Sequence, residues 1–380
     1  MKLVEFKKVT GNCKTPLLET GGRIDHAEDL VFWNGSQGAL NAIRQLEGLA
    51  KNTNNLTIKW DGSPAVVFGR NPNGEFIFTD KSGFHAQGYD GRATNSADLK
   101  GMISDRAKKN PSKTKSYKAY ADKIVPIFNT VAKAIPNKFQ GYFNGDMLYF
   151  ATPQQSNGRY VFKPNVVEYS VDAKSELGKK IGQSKAGVVV HNMMSEQGRI
   201  MPIKELDRYI QGRGLFVIPP TTVNKKVGVD TDALNKIKSI VSQNANLIDT
   251  LLDKNKLASM KLTDLPKILY AYTNAKVDQG LQNLGNDFSR WLLTSAVSEP
   301  KKQKIIEYVK QNINGFVALW NTVSGIMNAK DNIITQLDSA PGDVQASING
   351  KPGGEGYVLG GIKLVRRSGF TQANRAINTR

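Results

Sequence analysis

The run Lys59-Trp60-Asp61-Gly62-Ser63 stands between two segments that read as β-strands, residues 56–60 and 65–69. It puts a lysine at a strand end, a carboxylate two residues on, and then a glycine turn. A lysine attacks phosphorus only as the free amine, a state favoured by burial or by neighbouring cations. Gly62 lets the backbone approach a ligand closely. Asp61 suits contact with a ribose hydroxyl or placement of the lysine. The plain alternative is a surface turn in which Lys59 and Asp61 are merely solvated.

The surrounding pattern favours a built site. Upstream, Leu40, Ile43, Leu46 and Leu49 recur at helical spacing over residues 38–49. Downstream, Asn71-Pro72-Asn73-Gly74 is a turn and residues 75–80 form the returning strand. Residues 98–138 read as helical and basic. Strands resume at 141–150, 160–171 and 186–192, and Pro219-Pro220 closes that section. Residues 230–339 read as helical throughout. Strands return only at 356–359 and 362–366, a hairpin turned by Gly360-Gly361. The expected fold class is therefore α+β. Antiparallel sheets with helices span residues 1–228 and 340–380, and an all-helical insertion spans 229–339.

Four further segments carry groups that phosphoryl transfer needs. Phe143-Asn144-Gly145-Asp146 places an acid after a glycine on a strand, and residues 185–191 form an apolar strand ending in His191. Glu355-Gly356-Tyr357-Val358 opens a strand with a carboxylate. Ile362-Lys363-Leu364-Val365 sets a lysine inside an apolar strand. Such a site uses acids to hold Mg²⁺, lysines to neutralise the α-phosphate, and rings to hold the base.

In this order the segments resemble the motifs of the covalent lysine nucleotidyltransferases: ATP-dependent RNA and DNA ligases and mRNA-capping enzymes. Lys59-Trp-Asp-Gly62 is similar to the first motif, K-x-D-G, and Glu355-Gly-Tyr-Val358 to the fourth, E-G-x-V. Phe143–Asp146 resembles the third motif and Lys363 fits the fifth. Ser63, and residues 79–84, are more similar to RNA ligases than to DNA ligases. The resemblance implies an ATP-grasp-like nucleotidyltransferase domain, with ATP and Mg²⁺ as cofactors. Lys59 would carry AMP, and Asp61 would position the ribose or the lysine. Lys363 would stabilise charge on the α-phosphate, and Asp146 and Glu355 would hold the metal. Gly62, Arg70 and Lys81 would line the nucleotide phosphates, and His191 would stand near the base.

Some positions depart from the family pattern. Asp146 replaces the usual Glu, Val365 the second lysine of the fifth motif, and Pro64 the arginine of DNA ligases. Only 17 residues follow Lys363, which argues against a capping enzyme or a standard DNA ligase with a following OB domain. The expected activity is an ATP-dependent polynucleotide ligase, with RNA favoured over DNA. The alternatives are a minimal DNA ligase, a transferase that modifies a protein, and a decayed transferase fold that binds nucleic acid. His26-Ala-Glu-Asp-Leu-Val-Phe32 resembles stretches of tailed-phage proteins, and no chemistry attaches to it from sequence.

Composition agrees with a polyanionic partner. Lys and Arg number 52 against 33 acids, a formal charge of +19. No apolar run is long enough to span a bilayer, and residues 1–14 lack a signal-peptide core. The single cysteine, Cys13, excludes an intramolecular disulfide and fits a reducing cytoplasm, that of the host if the chain is phage-encoded. Trp33, Trp60, Trp291 and Trp320 read as packing residues rather than stacking platforms. The lysines of 108–138 are either a nucleic-acid face or a solvated helix face. The helical insertion is a clamp for the polynucleotide or a seat for a protein partner.

Overall fold

A computed structural model describes residues 24–80, 84, 93–195, 199–201, 210, 214–276, 284–367 and 370. Helix Leu30–Gly48 opens the described chain and leads into β1 (Leu56–Ile58), β2 (Ala65–Arg70) and β3 (Phe76–Asp80). Helices Ser96–Lys109, Thr114–Ile124 and Phe128–Ala134 precede β4 (Gly141–Tyr149). Then come β5 (Gln154–Ser156), β6 (Arg159–Phe162), β7 (Val167–Asp172), helix Glu176–Gly182, β8 (Ala186–Met194), β9 (Ile200–Met201) and β10 (Leu215–Ile218). After the helical stretch, which ends in helix Ile313–Ser339, follow β11 (Val344–Ile348), β12 (Lys351–Pro352), β13 (Tyr357–Leu359) and β14 (Ile362–Leu364).

The chain is α+β, with three sheets among the described residues. The central one runs β10-β8-β4-β2-β3, with β9 on β8. A second runs β12-β11-β7-β6-β5, and a third β1-β13-β14. Its pairings correct three expectations. β10 lies parallel to β8, so the sheets are not wholly antiparallel. The strand expected over 160–171 is two strands, β6 and β7, because Pro164-Asn165 turns the chain between them. Strands return at Val344, before the Glu355 hairpin, because Pro341-Gly342 stops the preceding helix and Val344, Ala346 and Ile348 then alternate toward the second sheet.

Packing decides how the helical stretch relates to the rest. Its core side chains Leu234, Ile248, Leu269, Phe316 and Ile333 belong to one buried cluster with Ile43 and Leu46 of the first helix. Leu56, Leu359 and Leu364 of the third sheet join the same cluster. The helices are therefore the packing platform of the strands that bear Lys59 and Lys363. A separate core covers the central sheet with the three basic helices, through Leu99, Ile103, Ile124 and Phe128 against Phe68, Phe78 and Phe143. All three helices bury apolar faces, so the lysines of 108–138 project from their outer sides. Trp60 is buried against Tyr169 and Phe162, with ring centroids 4.7 and 6.4 Å away, as a packing residue. Among the described residues no helix is long and apolar enough to cross a membrane.

Candidate active site

β1 and β13 come from opposite ends of the sequence and pair antiparallel, Thr57 with Val358 and Ile58 with Tyr357. The Lys59 amide continues the ladder by donating to the Gly356 carbonyl at 2.9 Å. Gly356 has φ of 135°, a region that favours glycine, and a Cβ there would lie 2.3 Å from the Leu364 carbonyl oxygen. That constraint explains the glycine of the E-G-x-V segment. The pairing brings the Lys59 ammonium into an ion pair with the Glu355 carboxylate, both side chains at least four-fifths buried. β14 then places Lys363 opposite Val358.

Asp61 leaves β1 toward the second sheet. Its backbone N–H donates to the Tyr169 hydroxyl at 2.7 Å, and its carboxylate accepts from the Asn165 amide. Burial, and then the charge of Glu355, push the Asp61 carboxyl up to about 7. Burial also raises Glu355, against the pull of Lys59, and raises the Tyr169 phenol well above its ordinary value. The charge of Asp146 adds to the rise at both Asp61 and Glu355. Three carboxyl groups thus face one another across a site whose cations are Lys59 and Lys363.

Gly62 makes a close approach, though to the protein itself. A Cβ at this position would lie 2.5 Å from the Met147 carbonyl and 2.8 Å from the Asp146 Cβ. The turn is pinned on β4 by Ser63 N–H to the Met147 carbonyl at 2.9 Å and Met147 N–H to the Pro64 carbonyl at 3.0 Å. This fixes Asp146 beside the lysine turn. On β8 the register skips His191, pairing Val190 with Gly145 and Asn192 with Asn144. The bulge turns the His191 ring to Asp146, with Nε2 2.8 Å from Oδ2.

Lys59, Asp61, Gly62, Asp146, His191, Glu355 and Lys363 are thus assembled from three sheets. Arg70 is not among them. It pairs with Gly141 at the far end of β2 from Ala65, which pairs with Asp146; five residues of strand are about 16 Å. Its guanidinium donates to the carbonyls of Ile135, Pro136 and Gly74 at 3.0, 3.1 and 2.9 Å, a structural role in place of the expected phosphate contact. Lys81 lies outside the described residues. Asn165 and Tyr169 were missed from sequence. The Pro164-Asn165 turn was the one available signal for the first, and a tyrosine on an alternating strand offered none.

Magnesium commonly takes one or two protein carboxylates and completes its shell with phosphate oxygens and water. The mutual repulsion of Asp146, Asp61 and Glu355 is what a divalent cation relieves, and Asp146 with Glu355 fits that kind of site. Among the described residues no three acidic, imidazole or thiol groups form a metal-binding cluster of their own.

A family model described as a family of unknown function, DUF6267, matches residues 23–90 and 100–378, and the chain belongs to that family. No curated protein and no solved structure matches it.

Proposed function

We propose that the chain is a covalent lysine nucleotidyltransferase with an ATP-grasp-like core, acting as an ATP-dependent polynucleotide ligase with RNA favoured as substrate. The observation that carries the reading is the Lys59–Glu355 ion pair, on strands that bring Lys363 to the same sheet. Lys59 gives up its ammonium proton, for which the contacting Glu355 carboxylate is the acceptor. The amine nitrogen bonds to the α-phosphorus of ATP, the bond to the bridging oxygen breaks, and pyrophosphate leaves. AMP then passes from Lys59 to a 5′-phosphate, and a 3′-hydroxyl displaces AMP to join the strands. Lys363 neutralises the α-phosphate and Asp61 orients the lysine turn through Asn165 and Tyr169. Magnesium, held by Asp146 and Glu355, supplies charge neutralisation at the phosphates.

The surplus of +19 supports a nucleic-acid partner, and Cys13 supports a cytoplasmic setting. Exposed Leu247, Leu293, Ile313 and Val317 support a protein partner for the helical stretch.

One arrangement favours a second reading, a decayed transferase fold that binds nucleic acid. Asp146 is engaged by His191, and Val365, at the position of the second lysine, is buried. Covalent labelling separates the two. With α-labelled ATP or GTP and Mg²⁺, the wild type is expected to carry label that survives denaturation, and Lys59→Ala none. A folded wild type that stays unlabelled, and whose intact mass excludes prior adenylylation, would leave the binding protein standing.

A further inference from the structure

The third sheet continues beyond its named strands. Thr222 bridges Thr57 on one side, and His26 bridges Lys363 in parallel on the other. The Lys363 amide donates to the Asp25 carbonyl at 2.8 Å. Directly paired residues share a face, so Thr222, Thr57, Val358, Lys363 and His26 form one row across the sheet. Lys59, two residues on from Thr57, projects from that face as well. The face is open, since Thr57, Val358, Lys363 and His26 are only half-buried and Thr222 is exposed. On the opposite face Leu56, Tyr357, Leu359, Ile362 and Leu364 are buried in the helical core.

His26 ends the row one strand beyond Lys363, about 5 Å further from Lys59. Its Nδ1 is buried and has no hydrogen-bond partner. The nearest acid, Glu28, is 3.8 Å from it. Glu28 is itself committed to Lys330 at 2.7 Å and to Arg367 at 2.8 Å. Burial, together with the charges of Arg367, Lys330 and Lys363 and against that of Glu28, holds the His26 imidazole well below its usual range. A neutral ring offers one N–H donor to an anion.

We propose that His26 is a further ligand-binding residue of this site, donating a hydrogen bond to the pyrophosphate end of the nucleotide. The reason is the order of groups along the row. In phosphoryl transfer the attacking and leaving atoms stand roughly in line across the phosphorus. Lys59 lies to one side of Lys363, and His26 lies on the other, where the leaving group departs. The inference rests on the nucleotidyltransferase reading and assigns a role to the 26–32 segment that sequence left without chemistry.

Two measurements test it, one of them independent of catalysis. The chain has three histidines, so His26→Phe identifies the His26 ring signals by their loss from the NMR spectrum. Titrating magnesium pyrophosphate into the wild type is expected to shift those signals saturably; signals that stay put overturn the proposal. In ATP–pyrophosphate exchange, His26→Phe is expected to raise the KM for pyrophosphate by about 10- to 100-fold, the loss of one hydrogen bond to a charged group. His26→Asn restores part of it. Transfer of AMP from preloaded enzyme to a 5′-phosphate, which involves no pyrophosphate, proceeds at the wild-type rate. Equal slowing of both steps assigns His26 to the fold alone and overturns the proposal. A saturable His26 shift in a chain that never labels Lys59 keeps the anion subsite and removes the ligase.

Discussion

Asp61 carries a measurable consequence of how the site is built. Its carboxyl is raised to about 7 by burial and by the charge of Glu355, whereas in the unfolded chain it titrates near ~3.9. Between those values the folded protein holds a proton that the unfolded chain has released. The contribution of Asp61 to stability is therefore full below about pH 4 and falls as pH rises toward 7. Asp61→Asn removes the titration and keeps the shape. Its melting temperature, followed from pH 4 to 8, is expected to lack the part of the decline that the wild type shows in that window. Parallel profiles would remove Asp61 from the account. Lys59, Asp61 and Glu355 were legible because their spacing to glycines and strands is local. Asn165 was not, because its partner is chosen by the packing of the second sheet on β1.

Among the elements, the first helix shows how a distant residue finishes a local structure. Residues 38–49 read as a helix, but the observed helix begins at Leu30 and breaks at Asn34 and Gly35, where φ of Gly35 is 57°. Its second half restarts at Ser36, whose amide and hydroxyl each donate to the Asp249 carboxylate at 2.7 Å. Asp249 thus acts as an N-terminal cap supplied from the helical stretch. A Cβ at Gly35 would lie 2.2 Å from Asp249 Oδ1, so only glycine leaves room for it. Asp249→Ala is expected to cost about 1–2 kcal/mol, read as a lower denaturant midpoint at unchanged slope. Sequence periodicity could find the second half of this helix, where apolar residues recur regularly. It could not find the first, because Asn34-Gly35-Ser36 reads as a break.

At the scale of the molecule, a buried charge cluster ties the chain's distant parts together. Glu28, Lys330 and Arg367 are all essentially inaccessible to solvent. Lys330 donates to both Glu28 oxygens at 2.7 and 2.9 Å, and Arg367 spans Glu28, Asp29 and Asn274. Burial works to raise Glu28, but the charges of Lys330 and Arg367 override it and hold the carboxyl well below its usual range. Helix Ile313–Ser339 is thereby fastened to both flanks of the Lys363 strand. Lys330→Met is expected to destabilise the whole protein by about 3–5 kcal/mol, since it leaves a buried carboxylate undercompensated. Adding Glu28→Gln to it should recover part of the loss. A double variant that melts no higher than the single one would show that packing at Lys330, rather than charge, sets the cost.

What the sequence by itself determined is the order of its chemistry and the periods of its elements. Lysine, acids and glycines stand at strand ends, a long helical stretch separates them, and the charge surplus follows from composition alone. These are readable because each depends on neighbours within a few residues. The tertiary structure decided which of those groups meet. It joined β1 to β13, set Asp146 under Gly62, removed Arg70 to the far end of its strand, and aligned His26 with Lys363. It also merged the helical stretch into the core beneath the Lys59 and Lys363 strands. Pairing register and core packing are long-range, and no local pattern encodes which distant strand an edge will find.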